Sequence, residues 1–287
     1  MSTTRFGRAA ALIAAFALAA TAFAQPAAAS ESTVYVALGD SFTAGPLIPD
    51  QTLDVPGCLR SDHNYAALLA QTLDVGAFTD ASCSGATTAD MFAPQGTFWG
   101  TNAPQLDAVT AQTTLVTIGI GGNDVGFMDV LVTCLTKGLL DPLGNPCEDH
   151  FTAGGYDELR ARISDVATDV AAVVEAVHDR APGAEVVLVG YPALLPPEKG
   201  CWLKATIAKG DVPYLDGVNA ELNEMLARVG GDHDATFADV YDRGHSICAS
   251  RGERWVEAVL PTRPAAPVHP NATGMRAVAD RLAELLG

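Results

Sequence analysis

The sequence predicts an α/β fold in which a parallel sheet is covered by helices on both faces. First, short apolar runs stop at glycine: Val34–Leu38 before Gly39, Thr114–Ile118 before Gly119 and Glu185–Val189 before Gly190. Continuous rather than alternating apolar character marks strands buried on both faces. Second, the segments between them carry apolar residues at steps of three and four, the spacing of an amphipathic helix. Third, strand and helix alternate along the chain, as parallel βαβ units require. No internal repeat, low-complexity run or Ser/Gly linker divides residues 30–287, which are read as one domain.

Residues 1–29 read as a secretory signal peptide. Arg5 and Arg8 form a positive start, Ala9–Ala20 is apolar, and small-residue sites at Ala22-Phe23-Ala24 and Ala27-Ala28-Ala29 place cleavage after residue 24 or 29. An extracellular location follows. The chain carries a net charge of −17; the first 29 residues hold two arginines and no acid, so the remainder carries −17 − 2 = −19. Such a charge repels phosphate, which excludes nucleic acid as a partner. No later stretch is long and apolar enough to span a bilayer, so stable membrane insertion is not expected. A monomer is expected. With 48% hydrophobic and 18% charged residues the chain is not disordered.

All six cysteines follow the signal, and in an exported chain an even count reads as disulfides. The absence of a Cys-x-x-Cys pair argues against zinc and thioredoxin-like chemistry. Six cysteines admit many pairings; the sequential set Cys58–Cys83, Cys134–Cys147 and Cys201–Cys248 is favoured because each bridge would staple a loop excursion.

After the first strand at Val34–Leu38, Ser61–Leu73 places Tyr65, Leu68, Leu69 and Leu73 on one helical face, with Ser61 or Asp62 as N-cap. A short segment, Val75–Asp80, precedes the strand at Thr114–Ile118. Tyr156–Arg180 is the clearest helix, with Leu159, Ile163, Val166, Val170, Val173 and Val177 in one stripe and Pro182-Gly183 as its stop. The strand Glu185–Gly190, a helix at Pro213–Val229, a strand at Ala235–Val240 and a closing helix at Thr273–Leu286 complete the chain. Loops 42–60, 84–105, 126–155 and 191–212 hold proline, glycine and most of the cysteines, so they are read as functional or stapled.

Four features carry chemistry. Ser41 lies in Gly39-Asp40-Ser41-Phe42-Thr43-Ala44-Gly45, directly beyond a strand, where open α/β sheets bind ligands. It is a candidate nucleophile, with a helix N-cap as the plainer reading. A nucleophilic serine needs a base. Of the six histidines, His178 sits near a helix C-terminus, His63 at a helix start, and His150, His233 and His245 in polar loops. His269, in Pro267-Val268-His269-Pro270-Asn271, stands on a proline-stiffened loop and is the candidate base. Asn123, in Gly121-Gly122-Asn123-Asp124, offers an amide to an oxyanion or else forms an Asx turn. Gly85, after Cys83-Ser84, offers a backbone N–H that can approach a ligand closely.

In this order the four features resemble the SGNH (GDSL) hydrolase superfamily, and the His-Pro-Asn-x-x-Gly-Met ending and cysteine number are most similar to its secreted actinobacterial branch of esterases, lipases and phospholipases. The resemblance runs from Val34 to the end of the chain. It implies a three-layer α/β/α sandwich around a five-stranded parallel sheet, similar to flavodoxin, and three sequential disulfides. It implies Ser41 as nucleophile, an oxyanion hole formed by the N–H of Ser41, the N–H of Gly85 and the Asn123 side chain, and His269 as general base and then acid. It implies no metal and no organic cofactor. One position departs from the pattern. Many members carry an aspartate three residues before the histidine, and here that residue is Ala266. In part of the secreted branch a backbone carbonyl takes over, which by resemblance is that of Ala266; Asp40 and Asp124 are the more distant alternatives. The Gly-x-Ser-x-Gly elbow of ordinary α/β-hydrolases is absent.

The implied activity is secreted serine ester hydrolysis of acyl or lipid esters. Phospholipase A and carbohydrate-ester deacetylase are the alternatives within the class; a non-catalytic extracellular binding module and a peptidase lie outside it. Met91-Phe92, Phe98-Trp99, Phe127-Met128 and Leu194-Leu195 are candidates for an acyl site, or else pack beneath the stapled loops. Asn271-Ala272-Thr273 matches a glycosylation sequon by chance, since it overlaps the His269 loop.

Overall fold

The sheet has five strands, all parallel, in a computed structural model that describes residues 1–3 and 32–287. Apart from its first three residues, the expected signal segment and its cleavage sites after Ala24 and Ala29 lie outside the described residues. In chain order the elements are β1 (Val34–Gly39), α1 (Ser41–Ala44), α2 (Tyr65–Thr72), β2 (Ala77–Asp80), β3 (Gln95–Thr97), β4 (Gly100–Asn102) and β5 (Leu115–Gly119). Then come α3 (Phe127–Leu140), α4 (Pro146–Phe151), α5 (Glu158–Arg180), β6 (Glu185–Val189), α6 (Asp211–Asp232), β7 (Thr236–Ala238) and α7 (Ala272–Leu286). The sheet runs β2-β1-β5-β6-β7.

Strand alternation divides the core into two layers. Tyr35 and Ala37 of β1 face α2 and α7, where they join Leu69, Met275, Val278 and Leu282. Val36 and Leu38 face the other way, into the stripe of α5 (Val170, Val173, Val177) and Leu222 and Met225 of α6. Both faces of β1, β5 and β6 are therefore buried, which is why their sequences are apolar throughout. Edge strand β2 alternates between exposed and half-buried residues, so its signal is weak. The expected three-layer α/β/α sandwich with a five-stranded parallel sheet is the observed fold, and the three disulfides join Cys58–Cys83, Cys134–Cys147 and Cys201–Cys248.

Three segments depart from expectation. The helix expected from Ser61 begins at Tyr65, because Asn64 rather than Ser61 or Asp62 caps it, accepting the Ala67 N–H at 2.9 Å. Loop 126–155 is mostly helical, containing α3 and α4 joined by Cys134–Cys147. Apolar residues surround α3, with Met128, Val132 and Leu139 exposed and Cys134 buried, so no one-sided stripe announces it. Loop 84–105 folds back as the antiparallel β3–β4 hairpin, with Gln95 opposite Asn102. The central strands β1 and β5 end side by side at Gly39 and Gly119, and the chemistry-bearing loops leave from there.

Candidate active site

Ser41 is placed by the turn between β1 and α1. A Cβ on Gly39 would come within 2.1 Å of Thr43 Oγ1 and 2.7 Å of the Gly119 carbonyl, so the close approach of β1 to its neighbours requires glycine there. Gln105 holds that glycine from both sides: its Oε1 accepts the Gly39 N–H at 2.7 Å and its Nε2 donates to the Gly39 carbonyl at 2.9 Å. The N-cap of α1 is Asp40, whose Oδ1 accepts the Phe42 N–H at 2.8 Å. Ser41 is thus the first helical residue rather than the cap. Its own N–H donates to no group among the described residues, and its hydroxyl is left for another partner.

That partner is His269. Nε2 of His269 lies 2.8 Å from Ser41 Oγ, and both residues are buried, at 8% and 7% exposure. The other ring nitrogen, Nδ1, lies 2.8 Å from the Pro267 carbonyl. A carbonyl only accepts, so Nδ1 carries the proton and Nε2 presents a lone pair to the serine hydroxyl. The expectation that the Ala266 carbonyl orients the ring is corrected. Ala266 O accepts the backbone N–H of His269 at 3.2 Å, and the left-handed Val268 (φ 58°) turns the Pro267 carbonyl onto the ring instead. The distant aspartates do not substitute either. Asp124 receives the Thr88 N–H and hydroxyl, and Asp40 receives Phe42 N–H and the Tyr191 hydroxyl. Burial holds the imidazole pKa below its ordinary 6.5, with the Pro267 carbonyl pulling the other way. Phe42 and Phe127 pack on the ring, at 5.0 and 5.8 Å between centroids.

The His269 loop hangs from a buried ionic cluster that sequence reasoning missed. The Glu257 N–H donates to the His269 carbonyl at 2.9 Å, and Val256 bridges to Pro270. The Glu257 carboxylate, wholly buried, accepts from Arg254, Arg263, the Thr262 N–H and Asn271 Nδ2. Asn271 in turn caps α7 through its Oδ1. Its side chain is buried and spent on protein partners, so the sequon offers no amide to a glycan.

The other candidates surround Ser41. Asn123 lines the same cavity as Ser41 and donates one Nδ2 hydrogen to the Ala86 carbonyl at 2.8 Å, which orients the amide and leaves its second hydrogen. Gly85, at φ 81°, follows Cys83 of the first disulfide in a turn closed by the Ala86 N–H on the Cys83 carbonyl. The Gly85 N–H donates to no group among the described residues. Tyr191, also missed, ties the Ser41 and Asn123 loops together: its hydroxyl donates to Asp40 Oδ2 at 2.6 Å and accepts the Gly122 N–H at 2.9 Å. Burial raises the Asp40 carboxyl to about 7 against the hydrogen bonds from Tyr191 and Phe42. Tyr191 follows β6 and its Gly190 directly, the same strand-end position that singles out Ser41 and Asn123, and this signal could have found it. His63, His150, His178, His233 and His245 make no hydrogen bond to Ser41.

Beyond Ser41 opens a cavity of about 110 Å³ with an apolar wall that includes Phe127, Leu131, Leu194, Leu195, Val218 and Leu222. The expected acyl-site residues divide. Phe127, Leu194 and Leu195 line it; Met91 is in the core; Phe92, Met128, Trp99 and Phe98, the last 87% exposed, lie outside it. The last two sit at the tip of the β3–β4 hairpin, which carries them outward. Among the described residues no group of three or more His, Cys, Asp or Glu is gathered as a metal site, and no helix is long and apolar enough to cross a membrane.

Residues 37–277 match the model of the GDSL-like lipase/acylhydrolase family. The chain is 39% identical over 278 residues to Lipase 2 of Streptomyces coelicolor, spanning 93% of this chain and 90% of that protein. Among solved structures it is similar to phospholipase A1 from Streptomyces albidoflavus NA297, with a TM-score of 0.73, 26% identity and 88% of this chain and 99% of that chain covered. It is equally similar to an extracellular lipase from Streptomyces rimosus, with a TM-score of 0.73, 29% identity and the same coverage.

Proposed function

The chain belongs to the GDSL-like lipase/acylhydrolase family of ester hydrolases, and on that premise we propose that it is a secreted lipolytic enzyme that cleaves medium- and long-chain acyl esters through an acyl-enzyme on Ser41. The observation that carries this reading is the Ser41–His269 pair, 2.8 Å apart at the edge of an apolar cavity. An apolar trough suits an acyl chain and gives an acetyl group little to bind, which favours lipid esters over acetylated carbohydrate. The signal-like N-terminus, the three disulfides and the extracellular relative from Streptomyces rimosus support secretion.

In the proposed reaction His269 Nε2 takes the Ser41 hydroxyl proton as Oγ attacks the ester carbonyl. Charge develops on the carbonyl oxygen and is met by the N–H groups of Ser41 and Gly85 and the second Nδ2 hydrogen of Asn123. The tetrahedral adduct collapses, the alcohol leaves with the proton from His269, and Ser41 keeps the acyl group. Water then attacks the acyl-enzyme as His269 accepts its proton; the acid departs and the proton returns to Ser41. The Pro267 carbonyl fixes the imidazole tautomer throughout, though a neutral acceptor stabilises the imidazolium less than a carboxylate does.

The test is hydrolysis of p-nitrophenyl esters from C2 to C16. Specific activity is expected to rise to C8 or beyond and to fall by on the order of 10⁶-fold with Ser41→Ala; activity confined to C2 would remove the lipolytic reading. In the same assays kcat/KM is expected to fall on acidification with a midpoint below 6.5, because the neutral imidazole is the active form and burial lowers its pKa.

A further inference from the structure

Gln95, the first residue of β3, is 9% exposed, yet only half of its amide is used. Nε2 donates to the Ser84 carbonyl at 3.0 Å, while Oε1 has no partner among the described residues. A buried acceptor left unpaired is costly, and an apolar side chain in its place would avoid that cost. What the amide accomplishes is the single bond to Ser84. The Ser84 carbonyl and the Gly85 N–H belong to one planar peptide unit, and in a trans peptide they point in opposite directions. A group that grips the oxygen therefore aims the hydrogen. The grip matters here because Gly85 sits at φ 81°, and a glycine allows its flanking peptide planes to rotate as no other residue does.

The hairpin is built to supply this grip. Gln95 pairs across it with Asn102, whose Nδ2 donates to the Ala81 carbonyl at 3.1 Å and whose Oδ1 accepts from Arg60. The β3–β4 hairpin thus holds residues 81 to 84 by two carbonyls. The Cys58–Cys83 bridge and the Ser84 N–H, donating to the Cys58 carbonyl at 3.0 Å, hold the same segment. Gln95 Nε2 is also the one atom that a Cβ built on Gly85 would meet, at 3.7 Å, so the amide lies beside the glycine.

We propose that Gln95 is a positioning residue for ester hydrolysis: by holding the Ser84 carbonyl it aims the Gly85 N–H at the oxygen that becomes negative during attack. This inference rests on the oxyanion role proposed for Gly85. Gln95 touches no reacting atom. A donor aimed at a developing charge acts on the transition state more than on the bound ester, so its misdirection lowers kcat and leaves KM nearly unchanged.

The test compares Gln95→Met and Gln95→Glu with the parent chain on p-nitrophenyl octanoate across pH, with Ser41→Ala alongside. Gln95→Met is expected to lower kcat by at least about tenfold, short of the roughly 10²–10³-fold that removal of an oxyanion donor costs, with KM within about twofold. In Gln95→Glu only the protonated carboxyl can donate to Ser84, so its kcat relative to the parent is expected to rise as pH falls, whereas the Gln95→Met ratio stays flat. Parental kcat in a folded Gln95→Met protein, with Ser41→Ala inactive, would overturn the inference. If Gln95→Met does not fold, the Gln95→Glu ratio decides: a rise on acidification supports the inference and a flat ratio overturns it. An active Ser41→Ala would instead bring down the acyl-enzyme reading itself, a different failure.

Discussion

Ser41→Ala and His269→Ala are each expected to lower kcat by on the order of 10⁶-fold, and the double variant is expected to lose hardly more than either single one. The two side chains form one device: Oγ and Nε2 lie 2.8 Å apart, and neither the serine without its proton acceptor nor the imidazole without its nucleophile can form the acyl-enzyme. No second histidine bonds Ser41, and Asp40 and Asp124 are committed elsewhere, so no neighbouring base takes over. Some rate above the uncatalysed reaction is expected to survive, because the donors proposed at Gly85 and Asn123 and the apolar cavity persist. Steady-state kinetics of the two single variants and the double variant measure this directly. Losses that multiply would mean that Ser41 and His269 act independently.

Glu257→Ala is expected to destabilise the fold by about 3–5 kcal/mol, the usual cost of removing one partner of a buried ion pair. Arg254, with its side chain 4% exposed, would keep a buried charge with its carboxylate gone, and Arg263, the Thr262 N–H and Asn271 Nδ2 would lose an acceptor. The pH dependence follows from the same contacts. Burial pushes the Glu257 carboxyl up, but the Thr262 N–H, Arg263, Asn271 and Arg254 outweigh it and hold the pKa at about 2 against an ordinary 4.5. A folded-state pKa below the unfolded one stabilises fully above 4.5 and is lost as pH falls toward 2. That shift amounts to about 3 kcal/mol, a second route to the same interaction rather than an addition to it. Urea unfolding of parent and variant at neutral pH and at about pH 3 checks both statements. The gap between them is expected to narrow on acidification; a gap independent of pH would mean that Glu257 is not held as a carboxylate. Because Glu257 suspends the His269 loop, the variant is also expected to lose kcat.

Much of the fold is legible in the amino-acid sequence. Strands β1, β5 and β6 announce themselves because burial on both faces leaves no polar position, and the stripe of α5 because one face alone is buried. The candidates Ser41, Gly85, Asn123 and His269 lie in short local patterns that a linear reading can single out, and the cysteines pair with their nearest neighbours in sequence. What escaped was non-local or decided by one dihedral. Tyr191 meets Asp40 across 151 residues. Glu257 acquires its meaning only when Arg254, Arg263 and Asn271 converge on it. The choice of Pro267 over Ala266 turns on the left-handed backbone of Val268, which its side chain does not advertise. Size and apolarity leave Phe98 and Trp99 open to an acyl site or to packing beneath the loops, and the hairpin that carries them outward decides against both.

The most direct test of the Ser41–His269 assignment is mass spectrometry of the full chain after treatment with a fluorophosphonate. One adduct is expected, on the peptide that contains Ser41, forming in step with the loss of esterase activity and absent from His269→Ala. A stoichiometric adduct on another residue that abolishes activity, or full activity with Ser41 labelled, would contradict the assignment.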